Sequence, residues 1–272
     1  MSLPLVSVVV PTHNRPEMLA EALASVRAQT FTDYEVIVVS NGESDEVRRA
    51  SHEVAAAHDC LYFALPEGNL PAARNFGIKH AKGEWIAFLD DDDLWLPNKL
   101  ERQMTIAEQT RADMISCAPP RKIPDGWLYV KAACHELPWA APSEIMVRKC
   151  AIEQVGGFDP HQRYCEDIDL WRRISWNHTS HHTYEILARI RTGHPSMSRR
   201  EYEMALYSLR HFVKMHNDTP RHLRSELPSS ATFVLYRLYI ILNRLHYGLR
   251  YRLRLRTRAR AFLQRVRGSS VS

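Results

Sequence analysis

The stretch LVSVVV (5–10) is an almost unbroken run of aliphatic residues, most of them β-branched. A strand with one wet face alternates apolar and polar residues, so a run of this kind calls for a strand covered on both faces. YEVIVVS (34–40) repeats the pattern, CLYFALP (60–66) and EWIAFLD (84–90) follow it, and DMISCA (113–118) makes a fifth strand. Helical patterns lie between them. Met18, Leu19, Ala22, Leu23 and Val26 recur at helical spacing, with Asn14 as expected N-cap, Pro16 in the first turn and Glu17 three residues after the cap. LPAARNFGIKHA (70–81) reads as a helix opening near Pro71, and PNKLERQMTIAEQ (97–109) as one with proline at its start. Strand and helix in alternation give an α/β fold, a mostly parallel central sheet flanked by helices.

Beyond residue 120 the pattern loosens. ELPWAAPSEIMVRK predicts a short strand or two, and CAIEQVGGFDP a helical turn ending at Gly156-Gly157. EDIDLWRRISWN predicts a helix whose first turn is acidic, which suits its positive dipole end. HHTYEILARIRT (181–192) reads as one more strand, and 201–216 and 231–247 as helices.

The formal net charge of +5 conceals a division. From Leu227 onward there is no Asp or Glu, and ten arginines are present, so residues 1–226 carry a net −5. Between Arg250 and Arg260 arginine takes every second position, with Tyr and Leu among the intervening residues. We therefore expect a body at 1–226, with halves 1–118 and 119–226, and a basic helical extension at 227–272. The extension reads as an amphipathic segment on an anionic membrane surface, in preference to nucleic acid or to a solvated tail. Five cysteines without C-x-x-C spacing point to reduced thiols rather than a disulfide framework or zinc site. No stretch reaches the roughly 18 apolar residues of a membrane span, and the apolar opening LPLVSVVVP is short and lacks a basic leader. The expected location is cytoplasmic, with the arginine tail allowing peripheral association with the inner face of a membrane.

In a parallel sheet, ligands bind at the carboxyl ends of the strands. Three polar stretches fall there: PTHNRP after the first strand, SNGESDE after the second, and the aspartates Asp90 to Asp93 after the fourth. Adjacent carboxylates raise one another's cost of ionisation. A turn that gathers four of them suits a hard cation, Mg²⁺ or Mn²⁺, held by one or two carboxylates together with substrate phosphates. Helix capping needs one acid, not four.

VSVVVPTHNRPEMLAEALASVRAQTFTDYEVIVVSNGESDE, NLPAARNFGIKHAKGEWIAFLDDDDLWLPNKLE and VGGFDP with EDIDLWRRI together resemble the family 2 glycosyltransferases of GT-A fold, over roughly residues 4 to 195. The resemblance implies a nucleotide-diphospho-sugar transferase. The reaction would be an inverting, metal-dependent transfer of a hexosyl or N-acetylhexosaminyl group to an acceptor hydroxyl in glycan, polysaccharide or glycolipid assembly. It implies Asp92 as direct metal ligand, Asp91 at the ribose or a metal-bound water, and Asp90 supporting the turn within the metal set. Asp93 would cap the following segment. Pro11, Thr12, Asn14 and Arg15 match the first nucleotide-binding loop, and Arg74 would reach the nucleotide or diphosphate. Asp167 would be the base, with Glu166 second. Asn75 reads as structural, and Trp171 as acceptor-pocket wall or core. His194 matches a position where some members place a histidine near the metal or diphosphate. The family usually has two aspartates where this chain has Ser40-Asn41. Asn41 thus stands at the nucleobase position, where an amide both donates and accepts and a carboxylate only accepts. UDP is the default nucleotide of the donor, with dTDP or GDP open. The acceptor is expected to be a glycan or lipid-linked, recognised by residues 120–165 and near 195–230.

Two other functions are considered. A sugar nucleotidyltransferase would call for a Gly-rich basic loop after the first strand, and PTHNRP has no Gly. A non-catalytic nucleotide-sugar or membrane-binding module is opposed by the intact D-x-D and Glu-Asp pair.

Overall fold

The computed structural model describes residues 3–42, 44–65, 68–117, 140–162 and 164–191. The expected helices at 201–216 and 231–247, the boundary at 226, the arginine tail and His194 lie outside them. The described elements are β1 (Val6–Thr12), α1 (Pro16–Arg27), β2 (Tyr34–Ser40), α2 (Asp45–Ala57), β3 (Leu61–Ala64), α3 (Leu70–His80), β4 (Trp85–Phe88), β5 (Leu94–Trp95), α4 (Lys99–Thr110), β6 (Met114–Cys117), a 3₁₀ turn (Pro142–Glu144), β7 (Ile145–Arg148), α5 (Lys149–Gln154), α6 (Glu166–Ser175), β8 (Ser180–Thr183) and β9 (Ala188–Arg189).

Seven strands form one sheet in the order β3-β2-β1-β4-β7-β6-β8, and β5 pairs with β9 apart from it. β3, β2, β1 and β4 run parallel. β7 enters antiparallel between β4 and β6, and β8 pairs parallel with β6. β1 is buried along its whole length, as its composition demands. Its alternate residues feed two cores. Val9 joins Ile37, Ile86 and Phe88 beneath α3, α5 and α6, while Val6, Val8 and Val10 join Val36, Val38 and the buried faces of α1 and α4.

Several local expectations are corrected. The third strand is a sheet edge with Leu61 and Ala64 exposed, because nothing pairs beyond it among the described residues. Asn14 does not cap α1. The cap position is Arg15, and Asn14 sits one residue earlier at φ 57°, a left-handed conformation that asparagine tolerates better than most residues. α4 starts two residues after Pro97. The single strand expected over 181–192 is two short ones, β8 and β9, on different sheets.

Gly77 lets α3 approach β1 closely. A Cβ there would lie 2.4 Å from Val9 Cγ1. Gly77→Ala should therefore destabilise the fold by about 1–3 kcal/mol through overpacking, less about 1 kcal/mol of regained helix propensity. Val9→Ala in the same chain should recover part of the loss. Urea titration of the two single variants and the double variant reads the coupling.

Candidate active site

The parallel register brings the carboxyl ends of β1, β2 and β4 together, with Thr12 opposite Ser40 and Val9 opposite Phe88. Just past these ends, the Asn41 backbone N–H donates to the Thr12 carbonyl (3.1 Å), and His13 Nδ1 lies 2.8 Å from the Asn41 carbonyl. PTHNRP and SNGESDE thus meet, and the aspartates close the group.

Asp90 to Asp93 form one turn, closed by the Asp93 N–H on the Asp90 carbonyl (3.1 Å). Their side chains alternate. Asp91 and Asp93 point inward and are buried, whereas the side chains of Asp90 and Asp92 keep 25% and 17% of their exposure. Asp91 accepts from the Thr12 hydroxyl (2.8 Å) and the His13 N–H (3.3 Å). Asp93 accepts from the Ser143 hydroxyl (2.6 Å) and the Arg191 N–H (2.9 Å). Burial pushes the Asp91 carboxyl up to about 6, against its bond from Thr12, and the Asp93 carboxyl up to about 7. The two outward carboxylates each meet an arginine. Arg15 Nη1 lies 2.6 Å from Asp92 Oδ2, and Arg74 Nη2 lies 2.6 Å from Asp90 Oδ1.

Arg74 is 1% exposed on α3. Its other amine, Nη1, donates to Glu166 Oε1 (2.8 Å) at the start of α6. One guanidinium therefore joins the aspartate turn to the Glu-Asp helix, and it lies 5.3 Å from the Phe158 ring centroid. Burial would lower its pKa, but Asp90 and Glu166 outweigh burial and hold the charge more firmly than usual. Asp167, next along α6, is partly buried, and its carboxylate accepts from the Ile168 N–H (2.8 Å). Burial, then the neighbouring Glu166, pushes Asp167 up to about 7, with Arg74 opposing. Burial likewise raises Glu166, against the pull of Arg74. A carboxyl poised near neutrality suits a general base.

Most of the expected site residues stand in one group: Pro11, Thr12, Arg15, Asn41, Arg74, the aspartates, Glu166 and Asp167. Asn14 stands beside it, with Nδ2 3.4 Å from His13 Nε2. Three expectations change. Arg74 is buried and turned to two carboxylates instead of outward to a nucleotide. Asp91 is buried, with its oxygens on Thr12, His13 and Arg15 (3.3 Å) of the first loop. Asp93 caps no helix: α4 begins from Asn98, and Asp93 is bound to Ser143 and Arg191. Asn75 makes a reciprocal pair of bonds with the Phe158 backbone (2.8 and 2.9 Å) and is structural. Trp171 is core, beside Phe88 and Phe158. Asp169, buried, pairs with Arg172 and Arg173 within α6. Nothing in the sequence marks Ser143 and Arg191, since a serine before a strand and an arginine after one carry no pattern. Arg191 also donates from Nε to the Asp92 carbonyl (2.9 Å) and pairs with Glu21 on α1.

The family model for glycosyl transferase family 2 matches residues 7–206. The chain belongs to that family. An uncharacterised glycosyltransferase of Rickettsia typhi is 26% identical over 235 residues, covering 75% of this chain and 71% of that protein. The chain spans 64% of a Rickettsia prowazekii glycosyltransferase and 17% of one from Rickettsia felis. Two solved structures share the GT-A fold. The mannosyltransferase PcManGT of Pyrobaculum calidifontis, in complex with GDP-Man and Mn²⁺, has TM-score 0.67 and 20% identity and covers 88% of this chain and 72% of that one. S. aureus TarS in complex with UDP-GlcNAc has TM-score 0.64 and 18% identity, with coverage of 80% and 69%.

Among the described residues, no group of three or more His, Cys, Asp or Glu side chains is placed to hold a metal unaided. The outward Asp90 and Asp92 offer hard oxygen donors at the end of the sheet. Such a set fits Mg²⁺ or Mn²⁺, which take one or two carboxylates and complete their shell with phosphate and water. Among the described residues, no helix is long and apolar enough to cross a membrane.

The upward shift of Asp167 has a stability consequence. Its folded pKa lies above its unfolded value, so the native state binds the proton more tightly. The cost of the buried charge grows as pH rises from about 4 to about 7 and is complete above that. Asp167→Asn should therefore unfold at higher urea than the parent at pH 8, and the gap should narrow toward pH 5. An unchanged gap would mean that Asp167 is solvated as an ordinary carboxylate.

Proposed function

We propose that the chain is an inverting, metal-dependent glycosyltransferase moving a hexosyl or N-acetylhexosaminyl group from a nucleotide-diphosphate sugar to an acceptor hydroxyl. The observation that carries this reading is the pairing of two carboxylate sets through Arg74: outward Asp90 and Asp92 on one side, Glu166 and Asp167 on the other. The acceptor oxygen attacks the anomeric carbon and forms the new glycosidic bond. The bond from that carbon to the diphosphate breaks, and the nucleoside diphosphate leaves with the electron pair. Asp167 takes the acceptor's proton. Glu166 stands next to it, held in place by Arg74. A divalent cation held at Asp92 and Asp90 would neutralise charge on the departing diphosphate.

The nucleoside would lie against the ends of β1 and β2, where Pro11, Arg15 and Asn41 line the junction. Asn41 leaves UDP, dTDP and GDP donors open. A UDP-sugar in one structural neighbour and GDP-Man with Mn²⁺ in another support a nucleotide-sugar donor and a divalent metal. The acceptor would be a glycan or lipid-linked glycan. A cytoplasmic enzyme held at the inner membrane face by the arginine tail of 227–272 fits that chemistry, and the body at 1–226 would carry the reaction.

Ligands that bind only the native state raise its melting temperature. In a panel of UDP, GDP, dTDP and CMP with and without Mn²⁺, one nucleotide should raise the melting temperature only with Mn²⁺ present. Asp92→Ala should lose that shift, while Asp167→Asn should keep it and lose about 100-fold or more in transfer rate, the scale of general-base catalysis. Absence of any shift in the parent chain would sink the donor-site reading.

A further inference from the structure

We infer that Ser143 is a positioning residue that fixes the aspartate turn for metal-diphosphate binding, an inference resting on the function proposed above. Ser143 sits in the 3₁₀ turn before β7, about 50 positions from the aspartates in sequence, and is 0% exposed. It grips the 90–95 segment at three points. Its hydroxyl donates to Asp93 Oδ2 (2.6 Å) and accepts from the Asp90 N–H (3.0 Å), and its carbonyl accepts from Trp95 Nε1 (2.8 Å).

The hydroxyl is used in both directions at once. The Asp90 N–H enters the turn and the Asp93 carboxylate leaves it, so one oxygen fixes the turn's first and last residues relative to each other. Asp92 lies between those points. Its backbone carbonyl is held by Arg191. The outward direction of Asp90 and Asp92 thus depends on a serine that touches neither outward carboxylate. Groups that orient metal ligands from behind typically change metal affinity by about 10–100-fold when removed. Alanine supplies neither the donor nor the acceptor. It also leaves the Asp93 carboxylate buried with one partner fewer, and the turn can relieve that by rotating Asp93 outward.

The test separates metal-dependent from metal-free binding. Free Mn²⁺ is measured by electron paramagnetic resonance with the nucleotide that the parent chain prefers, and nucleotide binding without metal is measured by calorimetry. Ser143→Ala should weaken Mn²⁺ binding in the ternary mixture about tenfold or more and change metal-free nucleotide binding less than twofold. Asp93→Asn, which keeps the side chain's shape, should weaken Mn²⁺ in the same direction. In the Ser143→Ala background it should add little. Should Ser143→Ala fail to fold, Asp93→Asn alone decides: a Mn²⁺ affinity equal to the parent's overturns the inference. Equal losses with and without metal would mean that Ser143 only supports the fold, and unchanged Mn²⁺ binding would remove its role altogether. If the parent chain itself binds no nucleotide with Mn²⁺, the proposed function fails first, and that result is distinct from either outcome for Ser143.

Discussion

A single buried arginine joins the two halves of the candidate site. Arg74 rises from α3 and spends one terminal nitrogen on Asp90 and the other on Glu166. An isolated charge in this position would be too costly to bury, and two carboxylates at hydrogen-bond distance make it tolerable. Breaking such a pair by removing one partner typically costs about 3–5 kcal/mol. The aspartate turn and the Glu-Asp helix are therefore held to each other by more than their separate folds. The planar fork matters as well as the charge, since a guanidinium can address two oxygens in fixed directions and an ammonium cannot. The same arginine divides the two carboxyls that open α6. Glu166 faces it directly, Asp167, one residue on, bonds the N–H of Ile168, and burial raises the pKa of both.

The sheet explains how residues so far apart meet. β1 and β4 are adjacent and parallel, so the turn after one lies beside the turn after the other, and Thr12 bonds Asp91 across 79 positions. Past β4 the sheet changes direction. β7 runs antiparallel beside it and brings the 3₁₀ turn that precedes it, with Ser143, to the aspartates. The helix after Gly156-Gly157 then returns Glu166 and Asp167 to the same edge. Gly157 has φ 72°, and a Cβ there would press on Asn75 Oδ1 at 2.7 Å, so this glycine is fixed both by its backbone and by the asparagine that ties α3 to Phe158.

The parallel half of the fold was legible because its strands carry a signal in composition alone. A double-sided strand such as β1 has almost nothing polar in it. The apolar LYFA suggests a buried strand, and sequence composition does not record that a sheet stops. Asn-x-Pro-Glu has a capping pattern that points to Asn14, yet the left-handed backbone of Asn14 moves the cap to Arg15. The site was legible at the level of membership, since carboxylates crowded on one turn are conspicuous. Direction was not legible. Whether an aspartate points in or out depends on partners such as Thr12, Ser143 and Arg191, which neither their residue type nor their spacing marks. Arg74 shows the same limit, because a basic residue near the carboxyl edge of a parallel sheet invites an outward reading, and only the position of Glu166 shows why it turns in.

The most direct test is the affinity of Arg74→Lys for the preferred nucleoside diphosphate with Mn²⁺, measured beside the parent chain. Lysine keeps the charge and loses the fork. If one guanidinium holds the turn and the helix in register, the affinity falls about tenfold or more, on the scale of other groups that orient metal ligands. An affinity equal to the parent's would show that positive charge alone suffices, and that the bridge between Asp90 and Glu166 does not position the site.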